Sequence, residues 1–221
     1  EAEVQRLVAL YDRTRDSGRN HDESIRLVYK AILVSPHFLF RVEVDPPGKT
    51  PGRISDTELA VRLSYFLWSS MPDEELFQRA EHGELGRPDV LEAQVRRMLR
   101  DPKAKALAEN FAGQWFGVRS LFTSAQPNHN RFPEYTETLR DAMATEPVEF
   151  FHYMVQANRP LTDLLDADYA FVNRELANHY GVTPPAGDNV VKVSLRPEDR
   201  NQGRGGLLGM GAVLVQTSYP Q

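Results

Sequence analysis

The stretch Ser55-Asp56-Thr57-Glu58-Leu59-Ala60-Val61-Arg62-Leu63-Ser64-Tyr65-Phe66-Leu67-Trp68 decides the fold class. Ser55 and Glu58 stand three residues apart just before an apolar run, which is the spacing of a capping box. The hydroxyl accepts from the backbone N–H three residues on, and the carboxylate reaches back to the N–H of the serine. Leu59, Leu63, Phe66 and Leu67 then recur at helical spacing and predict a buried stripe.

The same grammar extends on both sides. Upstream, Val4, Leu7, Val8 and Tyr11 predict a helix over 1–16, broken by Gly18 and Asn20. Ile25, Leu27, Val28, Ile32 and Leu33 predict a second, which ends before Pro36 because a residue preceding proline is pushed out of the αR region. Residues 37–43 suit either one helical turn or an extended segment. A Pro/Gly-rich linker covers 45–54.

Downstream, Pro72 with Asp73, Glu74 and Glu75 suits the opening turn of a helix, where negative charge meets the positive dipole end. Pro88 and Pro102 open helices over 88–100 and 102–116, and Pro133 opens a longer one that carries Leu139, Met143, Phe150, Phe151 and Met154. Pro147 inside that pattern predicts a kink or break, since proline removes one backbone hydrogen bond and clashes with the preceding turn. Leu161, Leu164 and Leu165 predict a short helix, and Phe171 to Tyr180 another, closed by Gly181. Val190 to Leu195 reads as the one strand, with no visible partner, and Leu207 to Val215 as a last helix. The expected fold is all-α, an irregular bundle of about eight to ten helices with one short strand near the C-terminus. Its expected parts are a helical module over 1–44, the linker over 45–54, a main helical domain over 55–182 and a tail over 183–221.

Composition narrows the function classes. The chain has 221 residues, enough to bury about 70% of its unfolded surface. It has no cysteine, which removes disulfides, thiol nucleophiles, cysteine-ligated metals and the C-x-x-C-H attachment of haem. A net charge of −5, with neither half basic, argues against a nucleic-acid platform. No run approaches the ~20 apolar residues of a membrane span.

The chemical motifs are fragmentary. Glu149 and His152 form Glu-x-x-His, which places a carboxylate and an imidazole on one helical face, yet a di-iron centre needs a second copy and two more glutamates. They are the only weak metal-ligand candidates, and no cofactor is expected in this chain. Gly203 to Gly211 has the composition of a phosphate loop, but Leu208 stands where G-x-G-x-x-G needs glycine, so the glycines read as permitting close helix packing. Asp163, Asp166 and Asp168 lack the glycine and closing glutamate of a calcium loop and read as helix caps. The groups Tyr65-Phe66-Trp68 and Phe111-Trp115-Phe116 read as core. An enzyme would have to assemble its site from Glu149, His152, Asp166, Asp168 and His179 across several helices. A carbohydrate-binding module would need Trp68 or Trp115 exposed on a flat surface.

The run from Leu59 through Asp73, with Asn110-Phe111-Ala112-Gly113-Gln114-Trp115 and Asp168-Tyr169-Ala170-Phe171-Val172-Asn173, resembles the signature of a helical domain of unknown function from large exported planctomycete-type proteins. Residues 1–43, with Ile32-Leu33-Val34-Ser35-Pro36-His37-Phe38-Leu39-Phe40-Arg41, resemble the small helical module that usually precedes it. Arg204-Gly205-Gly206-Leu207-Leu208-Gly209 through Ser218 resembles the opening of the module that follows. The resemblance implies a piece of a multi-domain protein, exported, periplasmic or envelope-associated, whose relatives carry cytochrome-c-like domains elsewhere. It implies partners among the missing domains of the parent or other proteins, and it carries no catalytic residue over. The expected function is a helical scaffold or interaction module, associated with a redox or polymer-processing system. The oligomeric state does not follow.

Overall fold

The computed structural model describes residues 2–40, 52–125 and 127–218. Most of the linker expected over 45–54 lies outside them. The chain divides into two compact units, residues 1–58 and 59–221.

In the first unit, α1 (Ala2–Asp16) and α2 (His21–Leu33) pack on each other. Asn20 caps α2 in a reciprocal box with Glu23, the Glu23 N–H donating to Asn20 Oδ1 over 2.9 Å. Tyr11 and His21 meet at 2.8 Å across the turn. Residues Pro36–Leu39 form the single turn α3. Of the stripe expected on α1, Val4 and Val8 are exposed, and the residue the helix buries is Thr14.

The capping box at Ser55 forms as expected, and α4 (Asp56–Trp68) begins at it. Of the stripe expected on α4, Leu67 is buried and Leu59 and Leu63 pack partly buried against the core of the second unit. Ala60, Ser64, Leu67 and Trp68 are buried, while Phe66 is exposed. Small Ala60 and Ser64 let neighbouring elements approach closely, between the larger side chains of Leu67 and Trp68 and the flanking Leu59 and Leu63. Against this face pack α5 (Glu74–Glu81) and α6 (Pro88–Arg100), with Leu76, Ala80, Leu85 and Met98 in one cluster. Trp68 satisfies its indole N–H at the Met98 carbonyl, 2.9 Å away. Asp73 caps α5 and takes a two-pronged bond from Arg97.

The helix expected over 102–116 is irregular. A 3₁₀ turn leads into α7 (Lys105–Leu107), a π-helical turn over Ala108–Ala112 and α8 (Gly113–Trp115). The long helix α9 (Glu137–Gln156) is opened by Thr136 rather than Pro133, the Leu139 N–H donating to its hydroxyl. It continues through Pro147 without a break. Proline is held there by burial, since Ala142, Met143, Ala144, Pro147, Phe150 and Met154 are all buried, and a helix apolar around most of its girth belongs inside a core.

The expected helix start at Phe171 is a strand. β1 (Tyr169–Val172) pairs antiparallel with β2 (Val191–Ser194), Val172 opposite Val191 and Tyr169 opposite Ser194. The strand read as unpaired therefore has its partner in this chain. All four residues of β1 are buried, which removes the alternation by which a strand is recognised. Helix α10 (Arg174–Tyr180) follows, capped by Asn173 and closed by left-handed Gly181.

Beyond β2 come α11 (Pro197–Asn201) and α12 (Gly211–Thr217). Leu195, Met210 and Ala212 join the cores built by α9, β1 and α10. The glycine-rich loop between α11 and α12 lies against backbone. A Cβ on Gly206, at φ +75°, would sit 2.6 Å from the carbonyl carbon and oxygen of Leu165. The close helix packing expected of these glycines is made by Gly211, where a Cβ would fall 2.9 Å from Met143 Cε of α9 and from the Tyr180 hydroxyl of α10, while Gly206 approaches loop backbone. Buried Glu146 accepts from the Tyr180 hydroxyl over 2.5 Å, and that oxygen accepts from the Gly211 N–H over 2.6 Å. The Arg204 guanidinium covers the Tyr180 ring at 4.0 Å. Through Tyr180 these contacts join α9 to α10 and α10 to Gly211 at the start of α12.

Candidate functional site

The aromatic groups expected in the core separate into two sets. Trp68 and Phe116 are buried, at 3% and 5% exposure. Phe66 is 59% exposed, Phe111 44% and Trp115 59%. Their rings adjoin, Phe66 to Phe111 at 6.3 Å between centroids and Phe111 to Trp115 at 5.6 Å. Phe151 of α9 backs them, 6.0 Å from Phe111. Trp115 also lies 4.9 Å from Phe116. The result is an aromatic ridge on a packed aromatic base.

Two local distortions build the ridge. The π-helical turn at Ala108–Ala112 changes the angular phase of the segment, so that Asn110, Phe111, Gln114 and Trp115 are exposed while Ala112, Gly113 and Phe116 are buried. Such turns occur often at functional sites. Ser69, just past α4, stands at φ +52°, a left-handed conformation that costs a non-glycine residue about 1–2 kcal/mol. The Asn110 amide donates to its hydroxyl over 2.8 Å, joining the end of α4 to the π turn. Sequence reasoning missed Ser69 and Asn110, because neither residue type carries a chemical motif.

The same α9 and α7 region holds a polar pair. Glu149 is bound by Lys105 at 2.8 Å, and this bond holds the lysine ammonium above its usual pKa. Burial lowers the pKa of His152, with Glu149 and Glu109 opposing and Lys105 reinforcing the shift, so its imidazole is neutral at pH 7. Glu149 and His152 are close, yet the glutamate already has a cation partner. Asp166 pairs with Arg200, which also feels the charge of Asp168. His179 lines a separate cavity. The five candidates thus fall into different surroundings, and among the described residues no group of three or more His, Asp or Glu could hold a metal ion. Likewise, among these residues no helix is long and apolar enough to cross a membrane.

The ridge and both distortions lie on residues 66–115. That stretch falls inside a match over residues 54–182 to a family model described as PSD4, protein of unknown function (DUF1592). Residues 1–43 match a second model, PSD5, protein of unknown function (DUF1595). No curated protein and no solved structure matches the chain. With more than half of its length inside the first match, including α4, the π turn, α9, β1 and α10, the chain belongs to the PSD4 (DUF1592) family of unknown function.

Proposed function

We propose that this chain is a helical interaction module of a larger exported protein, and that the ridge of Phe66, Phe111 and Trp115 is the surface by which it docks on a protein partner. The observation that carries the reading is three adjoining aromatic side chains held half in water on a rigid aromatic base. Each ring has on the order of 100 Å² left to bury, which at about 25 cal/mol per Å² is worth ~2.5 kcal/mol. Aromatic anchors of this kind dominate protein interfaces. The planes of Phe66 and Phe111 meet at 67° and those of Phe111 and Trp115 at 38°. A flat sugar needs a coplanar platform, whereas a ridge suits a grooved protein surface. Of the two tryptophans a carbohydrate module could use, Trp68 is buried and only Trp115 is exposed. Export, and association with a redox or polymer-processing system, rest on the resemblance of the sequence motifs alone.

The test is site-specific photo-crosslinking in the native cell, with the photoreactive residue at position 115 and a control at exposed Arg131. A discrete protein adduct from position 115, absent from the control and lost on Phe66→Ala, is expected. Glycan-array binding that disappears on Trp115→Ala, with no protein adduct, overturns the reading in favour of a carbohydrate module. No adduct and no glycan binding overturns both.

A further inference from the structure

Away from the ridge, a cavity of about 650 Å³ opens between the 3₁₀ turn Val118–Phe122, the loop leading to α9, and helices α9, α10 and α12. That volume lies in the range of small-molecule sites, about 300–1,000 Å³. Phe132, Met143, Leu214 and Val215 give it apolar walls, and Asn128 and His179 add polar groups. Among the described residues the His179 ring has no hydrogen-bond partner. The Asn128 side chain is oriented by accepting from the Asn130 N–H over 2.9 Å.

One wall is fixed in advance. Gln216 donates to the Phe116 carbonyl over 2.6 Å and lies so close to Gly117 that a Cβ there would overlap its amide oxygen. Ser120 donates to the Gly117 carbonyl over 2.8 Å, completing the turn. A wall held in this way does not have to be ordered when a ligand arrives.

The charge of the lining selects the ligand class. Among the described residues Glu134 is its only carboxylate, and no lysine or arginine lines it. Burial pushes the Tyr135 hydroxyl above its usual pKa, so the phenol stays neutral. An anion entering here would meet Glu134, and the one cation whose charge reaches Tyr135, Arg140, is already paired with Asp141 at 3.0 Å, while a neutral molecule loses little hydration.

We infer that this cavity binds an uncharged amphiphile, its apolar body against Phe132, Met143, Leu214 and Val215 and a hydroxyl or carbonyl group reaching Asn128 or His179. This site is independent of the proposed docking ridge. The test uses 1-decanol, decanoate and decylammonium as probes on the full chain at pH 7.5, read by saturation-transfer NMR and by amide shift mapping. Saturable decanol binding with shifts confined to the cavity walls is expected, and decanoate should bind at least tenfold more weakly. Ser124→Trp, at an exposed position on the rim, should weaken decanol at least tenfold without lowering the melting temperature, while Trp115→Ala leaves it unchanged. Should Ser124→Trp fail to fold, exposed His179→Ala replaces it and should weaken decanol severalfold. Equal binding of decanol and decanoate, tighter binding of decylammonium, shifts spread over the ridge, or no saturable binding each overturns the inference.

Discussion

Replacing Glu146 by glutamine should change how the stability of this protein depends on pH. Glu146 is 2% exposed and among the described residues makes one side-chain hydrogen bond, from Tyr180, whose ring Arg204 covers. Burial is the dominant influence and raises its pKa from 4.5 to about 8, against the opposing effects of the Tyr180 hydrogen bond and the Arg204 charge. Below pH 4.5 the group is protonated in both folded and unfolded chains and contributes no pH dependence. Between pH 4.5 and about 8 the unfolded chain releases the proton and the folded chain keeps it. Stability therefore falls as pH rises across that window, by ~1.4 kcal/mol per unit. Carried to pH 7, the loss is about 3 kcal/mol.

Glutamine keeps the volume and can still accept from Tyr180, but it brings a buried NH₂ group that costs about 1–3 kcal/mol at every pH. The decisive quantity is thus a slope rather than a single value. Urea unfolding of both proteins from pH 4.5 to 7 should show the glutamine variant gaining about 3 kcal/mol relative to the parent. Other titrating groups, His152 among them, are present in both chains and cancel in the difference. Parallel profiles would refute the reasoning and mean that water or a rearranged cation reaches Glu146 in the folded state.

Further substitutions check other parts of the structure. Gly206→Ala should lower stability by more than about 2 kcal/mol, because its Cβ would meet the Leu165 carbonyl, while Gly203→Ala, at φ +81° in open space, should cost only about 1 kcal/mol, as thermal melts will read. Asp73→Ala removes the cap of α5 and the partly exposed Arg97 bond and should cost about 1–2 kcal/mol by urea unfolding. Since Arg97 holds the Asp73 carboxyl below its usual range, that contribution is complete at neutral pH and is lost as pH falls through the lowered value. Trp68→Ala should cost about 3–5 kcal/mol, whereas Trp115→Ala, which uncovers only the part of the ring resting on Phe111 and Phe116, should cost about 1–2 kcal/mol, which separates the core ring from the exposed one.

Much of the helical framework was legible along the chain because its signals are local. A capping box at Ser55, proline at Pro88 and glycine at Gly181 act over a few residues, and the structure contains each as read. Periodicity was less decisive where two phases competed. On α4 the expected Leu59, Leu63 and Leu67 do face the core, but the buried side also takes in Ala60, Ser64 and Trp68 and leaves Phe66 out, which residue types alone do not reveal. Pro147 marks a break only when the helix stands alone, and burial on several sides holds α9 through it.

The sequence by itself determined the helical class, the Ser55 box, the Pro88 start and Gly181 stop, and the family signature, because these depend on neighbours within a turn or two. Tertiary structure alone decided the pairing of β1 with β2, the placing of the glycine loop on the Leu165 carbonyl, and the separation of the aromatics into core and ridge. Each of those depends on what lies across space from a residue, and burial of all four β1 side chains erased the only pattern that could have announced its partner.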